Sequence, residues 1–201
     1  MLVIGLAGGT GSGKGAASQL FSERGLAVVD TDAVYAELTA GKSECLIELA
    51  REFGEEIISE NGSLNRTKLA DLVFFGEGKE LRRAKLNAIA HRHILAKTRS
   101  MISRFSEEGY PAVIIDAPLL FESGFDKECD ITVCVIADTD IRISRIMARD
   151  GILREAAERR IAAQIPNDRL VDMCDHSLEN NGELCDLSER VDLLLKKIIK
   201  I

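Results

Sequence analysis

Five glycines, at positions 8, 9, 11, 13 and 15, surround a single lysine, Lys14, and that composition suits one kind of ligand. In Gly8-Gly9-Thr10-Gly11-Ser12-Gly13-Lys14-Gly15, Gly8 and Gly13 have the spacing of the phosphate loop G-x-x-x-x-G-K-[ST]. Successive backbone N–H groups can curl around phosphate oxygens only where side chains are out of the way, which is what the glycines secure. Lys14 adds a flexible point charge for the β- and γ-phosphates, and the helix that follows would present its positive N-terminal end. The apolar run Leu2–Ala7 before the loop and the helix-like stretch after it supply the setting such a loop needs, so the segment predicts binding of a nucleoside triphosphate. One element departs from the pattern: the residue after the lysine, ordinarily a hydroxyl ligand for magnesium, is Gly15, and Ala16 beside it has no hydroxyl either.

Carboxylates stand where a reaction on that triphosphate would use them. Val29-Asp30-Thr31-Asp32 ends one apolar run, and Val113-Ile114-Ile115-Asp116 ends another. In an open parallel sheet the ligand crevice lies outside the carboxyl ends of the strands, so acids at those ends face it. Asp30 and Asp116 are candidates to hold Mg2+, directly or through water. Asp32 has two readings, a helix N-cap or the group that orients and deprotonates a substrate hydroxyl. From Arg142 to Arg169 there are seven arginines against four acids, a local positive excess in a chain whose net charge is -7. Arg154, Arg159 and Arg160 fit a solvated helix face, while an arginine from the 142–149 stretch suits a polyphosphate clamp.

The elements that must position these groups follow from hydrophobic pattern. Short β-branched runs at 2–7, 26–29, 112–115 and 131–136 lack polar alternation and read as strands buried on both faces, with a weaker fifth strand at 174–178. They alternate with helical patterns, which predicts an α/β, doubly wound parallel five-stranded sheet of the P-loop type. About eighty residues separate the second strand from the third, far more than a crossover requires, and predict an inserted helical subdomain. Its helices are expected at 45–53, 65–74 and 81–105. A helical lid broken at Asp150-Gly151 follows the fourth strand, and 184–199 forms a terminal helix. The expected organisation is one P-loop domain: a core of about 1–30, 111–140 and 172–201, an insertion of about 31–110, and a lid of about 141–171.

Bulk composition narrows the class. A length of 201 residues suits one domain with excursions, and 46% hydrophobic with 29% charged residues is ordinary for a soluble chain. The acidic balance argues against nucleic-acid binding, which needs a basic footprint. The opening apolar run is short and lacks a basic flank, so neither a secretory signal nor a membrane span is expected, and the predicted location is cytoplasmic. Five cysteines without a C-x-x-C pair suggest neither disulfides nor zinc, and His91 and His93 fall on different faces of a helix. A GTPase switch would need D-x-x-G where Asp116-Ala117-Pro118-Leu119 stands, and N-K-x-D is absent. A small-molecule kinase fits better, as a monomer or weak homo-oligomer.

Taken together, Ile4–Lys14, Val29-Asp30-Thr31-Asp32, Pro118-Leu119-Leu120-Phe121-Glu122, Met147-Ala148-Arg149-Asp150-Gly151, Arg160-Ile161-Ala162-Ala163-Gln164 and Glu179-Asn180-Asn181-Gly182 resemble the dephospho-coenzyme A kinase family over effectively the whole chain. The resemblance implies transfer of the ATP γ-phosphoryl group, with Mg2+, to the 3′-hydroxyl of dephospho-coenzyme A, the last step of coenzyme A synthesis. It implies Asp32 as catalytic base, Lys14 and Arg149 as the other catalytic groups, and the 31–110 insertion as the coenzyme-binding part. Nucleotide contacts are expected from Gly9, Gly11, Ser12, Gly13, Lys14, Gly15 and Ala16, from Arg145 and from Asn181. Two positions depart from the family: Gly15-Ala16 replaces the usual Ser-Thr, although adenylate kinases also carry Gly after the loop lysine, and His91 precedes Arg92 where the family usually has proline. Two alternatives stand beside this reading. One is a kinase of another nucleoside or nucleotide, against which the P-L-L-F-E and N-N-G segments argue. The other is a non-catalytic nucleotide sensor, against which the retention of Lys14, Asp32 and Arg149 argues.

Overall fold

The computed structural model describes residues 1–199. Strands β1 (Leu2–Gly8), β2 (Ala27–Asp30), β3 (Ala112–Asp116), β4 (Ile131–Ile136) and β5 (His176–Glu179) form one parallel sheet in the order β2-β3-β1-β4-β5. The three central strands are the longest and most apolar, and every residue of β3 is buried. The order in which strands are added reverses at β1, which has β3 on one side and β4 on the other. Their carboxyl ends therefore bound the switch-point crevice where α/β sheets hold ligands.

Two compact units divide the chain: residues 1–30 with the segment from 102 onward, and residues 31–101. In the first, helix α1 (Lys14–Glu23) packs Ala17, Leu20 and Phe21 on Ile4, Leu6, Ile114, Val133 and Val135. The last helix, here α9 (Leu184–Ile198), closes the same core with Leu187, Val191, Leu194 and Leu195. A reciprocal capping box between Glu183 and Asp186 starts that helix. Arg24 locks the two helices together through Asp192 and through Ser188, whose Oγ it meets at 2.7 Å.

The second unit has a separate core. Helices α2 (Thr31–Thr39), α3 (Glu44–Phe53), α4 (Arg66–Phe74) and the greater part of α5 (Lys79–Glu107) surround Cys45, Leu46, Leu49, Phe53, Leu69, Val73 and Ile89. Ser43 caps α3 by accepting from Leu46 N at 3.0 Å, and Asn65 caps α4 from Lys68 N at 3.1 Å. With Arg92 in place of proline, α5 keeps its backbone donors and runs unbroken for 29 residues. By compactness this unit runs from Thr31 to Met101, inside α5.

After β4, α6 (Thr139–Asp150) stops at Gly151, whose φ of 64° is the left-handed stop that the Asp150-Gly151 break signalled, and α7 (Arg154–Ala162) follows. A further short helix, α8 (Asn167–Met173), was not anticipated: it begins behind Pro166 in a polar stretch without clear apolar periodicity. The fifth strand forms two residues later than expected, at 176–179, because Asp175 is drawn out of it to bind Thr132 N and Oγ1 at 2.8 and 2.9 Å.

Candidate active site

The loop between β1 and α1 is held so closely that several of its positions exclude a side chain. Gly11 and Gly13 have φ of 77° and 94°. A Cβ on Gly13 would lie 1.9 Å from Asn180 Nδ2, and one on Gly9 would lie 2.3 Å from Arg142 Nη2. A Cβ on Gly8 would meet Ser12 Oγ at 2.8 Å. Gly15 is different, with nothing within 4 Å of the added atom. No side chain caps α1, and no acidic residue occupies its first turn, so its leading N–H groups and its dipole are directed at the loop's interior. Ser12 Oγ is buried and has no hydrogen-bond partner among the described residues. A buried hydroxyl in that state is costly, and a phosphate-loop ligand is the kind of partner that would satisfy it.

Lys14, Asp30 and Asp116 come together at the sheet's carboxyl edge. Lys14 Nζ donates to Asp116 Oδ1. Asp116 is buried, and its Cα register partner across β2 and β3 is Asp30. Register partners on neighbouring parallel strands project to the same face, so the two carboxylates form a pair of hard oxygen donors. Among the described residues no group of three or more His, Cys, Asp or Glu side chains is arranged to hold a metal; any cation here would complete its shell with phosphate oxygens and water. Asp32 is the second residue of α2, inside its first turn, since the helix already begins at Thr31.

The arginines of α6 and α7 divide by role. Arg149 is exposed; its Nε and Nη2 meet Asp150 at 2.7 and 3.0 Å, and Nη2 reaches Thr10 Oγ1 at 3.3 Å. The Arg149 guanidinium, followed by that of Arg160, holds the Asp150 carboxyl below its usual range. Arg145 donates to Asn180 O at 2.9 Å and to Gly11 O at 3.5 Å. Arg154 bridges Asp140 and Glu158 on the exposed side, as a solvated face would. Arg142 is not a surface clamp: it is buried and bonded to the loop's own backbone.

Asn181 sits against Asp138, accepting from its N at 2.8 Å and donating to its Oδ1 at 3.0 Å. Its neighbour Asn180 is the amide that reaches the loop, donating to Ser12 O at 2.8 Å while buried. Gln164 is a second loop contact that the sequence did not single out, its Oε1 accepting from Thr10 N at 2.9 Å. Both lie within the short motifs quoted above, but which amide of a consecutive pair turns toward the loop depends on a backbone path that local sequence does not display.

The glycine loop with its lysine, between β1 and α1, is a P-loop arrangement, and a model of the dephospho-CoA kinase family matches residues 2–186. The chain belongs to the dephospho-CoA kinase family. It is accordingly a kinase, a phosphotransferase. A dephospho-CoA kinase of Corynebacterium glutamicum is 35% identical over 199 residues, covering 99% of this chain and 98% of the relative. A Thermus thermophilus protein of known structure is 32% identical with a TM-score of 0.79, covering 98% of this chain and 97% of the other. The dephospho-CoA kinase of Campylobacter jejuni, 19% identical over 98% of this chain and 97% of its own, shares the fold with a TM-score of 0.72.

Proposed function

We propose that this dephospho-CoA kinase family member transfers the γ-phosphoryl group of ATP to the 3′-hydroxyl of dephospho-coenzyme A, giving coenzyme A and ADP. The observation that carries the reading is Lys14 paired with Asp116 beside Asp30, at the mouth of a loop whose Gly8, Gly9, Gly11 and Gly13 leave no room for a side chain. Phosphoryl transfer asks the protein mainly for positioning and charge neutralisation, and these residues supply both. The loop N–H groups and the N-terminus of α1 bind the phosphates, and Lys14 exchanges Asp116 for the β- and γ-phosphate oxygens.

Arg149, exposed on α6 and already touching Thr10, meets the transferring phosphoryl group. Asp32 accepts the proton of the ribose 3′-hydroxyl as that oxygen attacks phosphorus. We assign the helical unit to the coenzyme, following the family resemblance. The donor set fits Mg2+: Asp30 and Asp116 would hold it, directly or through water, without a hydroxyl from residue 15 or 16. When bound, the ion supplies neutralisation of phosphate charge.

A coupled ADP-release assay over a panel of acceptors tests the assignment. Rapid ADP release with dephospho-coenzyme A and little with nucleosides is the expected result; turnover of a nucleoside with none of dephospho-coenzyme A would overturn it.

A further inference from the structure

Arg142 is a cation in the wrong place for a merely structural residue. It is 2% exposed, and its guanidinium spends its donors on three neutral oxygens: Thr10 O at 3.0 Å, Asn167 Oδ1 at 3.0 Å and Gln164 Oε1 at 3.0 Å. Among the described residues no carboxylate pairs with it. Burial alone pulls its pKa below the ordinary arginine value, with no neighbouring anion to oppose that. A desolvated charge without a counter-ion is expensive, and hydrogen bonds to neutral carbonyl groups offset only part of the cost.

Its position says where the counter-ion comes from. Nη2 lies 2.3 Å from where a Cβ on Gly9 would stand, and the main chain of Arg142 crowds Gly11, so the guanidinium and its helix lie directly against the phosphate loop. Gln164, which accepts from Arg142, also accepts from Thr10 N at 2.9 Å, so the N–H and the carbonyl of one loop residue are both held. Asn167, the third partner, is anchored in turn to Ala137 O at 2.9 Å at the end of β4. The fork thus ties α6, the segment after α7, and the start of α8 to one stretch of loop backbone.

We propose that Arg142 is a positioning residue for the nucleotide: a buried cation, held against the loop by Thr10, Gln164 and Asn167, whose missing counter-ion is the polyphosphate of the bound substrate. It acts through the loop backbone and through its field, and does not itself grip a phosphate oxygen. This rests on the proposed binding of ATP at the loop and goes beyond it by assigning the phosphate-count dependence of affinity to a residue behind the site. In a low-dielectric setting the field of such a charge is weakly screened, so its contribution grows with each negative charge on the ligand.

The test is a set of dissociation constants for ATP, ADP and AMP, measured by titration calorimetry on the wild type, Arg142→Met and Arg142→Lys, with melting of the nucleotide-free proteins alongside. Arg142→Met should weaken ATP at least tenfold and AMP no more than about twofold, with ADP between. Arg142→Lys, which keeps the charge and loses the fork, should hold the ATP-to-AMP affinity ratio within about threefold of wild type. If the Met variant does not fold, Arg142→Gln, which retains an amide donor for Thr10 O, carries the same expectation. Equal losses for all three nucleotides, or none for ATP, would reduce Arg142 to a strut and overturn the proposal. Dephospho-coenzyme A turnover by the wild type is read separately: its absence, with phosphate-dependent losses intact, would sink the proposed reaction and leave this inference standing.

Discussion

Asp30 and Asp116 are register partners at the carboxyl ends of β2 and β3, and the buried member of the pair takes the phosphate-loop lysine. The two acids differ in burial: Asp116 is 7% exposed, whereas Asp30 is exposed. The buried carboxylate is the more costly to leave without a cationic partner, so Asp116 depends on Lys14 or on a metal ion taking its place.

That dependence predicts the effect of Asp116→Asn. Neutralising the acid removes one of two anionic donors for Mg2+ and releases Lys14, so the magnesium concentration for half-maximal rate should rise at least tenfold, while metal-free ATP affinity holds or improves. A magnesium titration of ADP release checks it; an unchanged midpoint would place the ion elsewhere.

Gly15→Ser restores the hydroxyl usual at this position. Its Cβ meets nothing within 4 Å, so the fold should accept it without loss of thermal stability. The magnesium requirement should fall several-fold if the ion sits beside the loop, and stay put if it is held away from residue 15.

Arg149→Ala separates transition-state from ground-state binding. Arg149 is exposed, and among the described residues its hydrogen bonds go to Asp150 and the Thr10 hydroxyl, so its removal should leave stability near wild type. Turnover should fall by tenfold or more and ATP affinity by less, because an interaction made chiefly with the transferring phosphoryl group appears in kcat. The opposite split in steady-state kinetics would assign it to nucleotide binding.

Asp32→Asn keeps a polar residue in the first turn of α2 and removes the proton acceptor. Loss of a general base costs roughly a hundredfold or more in rate, and that is the expected fall in turnover, with melting temperature and ATP binding little changed. Turnover within a few-fold of wild type would return Asp32 to a structural role and make Asp30 the next residue to test.

Asp175 gives a pH dependence of stability. Hydrogen bonds from Thr132 N, then Oγ1, hold its carboxyl below the usual range. A depressed folded-state pKa means that its contribution is present above the unfolded value of about 3.9 and is lost as pH falls through the folded one. Asp175→Ala should therefore melt below wild type at pH 7, and the gap in denaturation midpoint should narrow as pH drops below about 4. A constant gap would mean that Asp175 acts through packing alone.

The phosphate loop, the order of strands and helices, and the helix break at Asp150-Gly151 were legible in the sequence because each depends on residues a few positions apart. Loop glycines, β-branched runs and a glycine stop encode backbone geometry locally. The unbroken α5 was readable in the same way, from the absence of proline after His91. Helix α8 was not, since its short polar stretch carries no periodic signal and takes its place partly through Asn167, which reaches Ala137 and Arg142.

Tertiary structure decided which side chains complete the site. Lys14 meets Asp116 across 102 positions, Asn180 meets Ser12 across 168, and Arg142 meets Thr10 across 132. In sequence Arg142 is one of seven arginines in a mixed charge run; its place in the 142–149 stretch suggests a clamp, and nothing local says that it is buried. The burial arises when α6 packs on the loop: its guanidinium is driven out of water and against Gly9, while that of Arg154 keeps its solvent. Burial is set by what the rest of the chain places nearby, so the same residue type becomes a buried cation at 142 and an exposed ion-pair partner at 154.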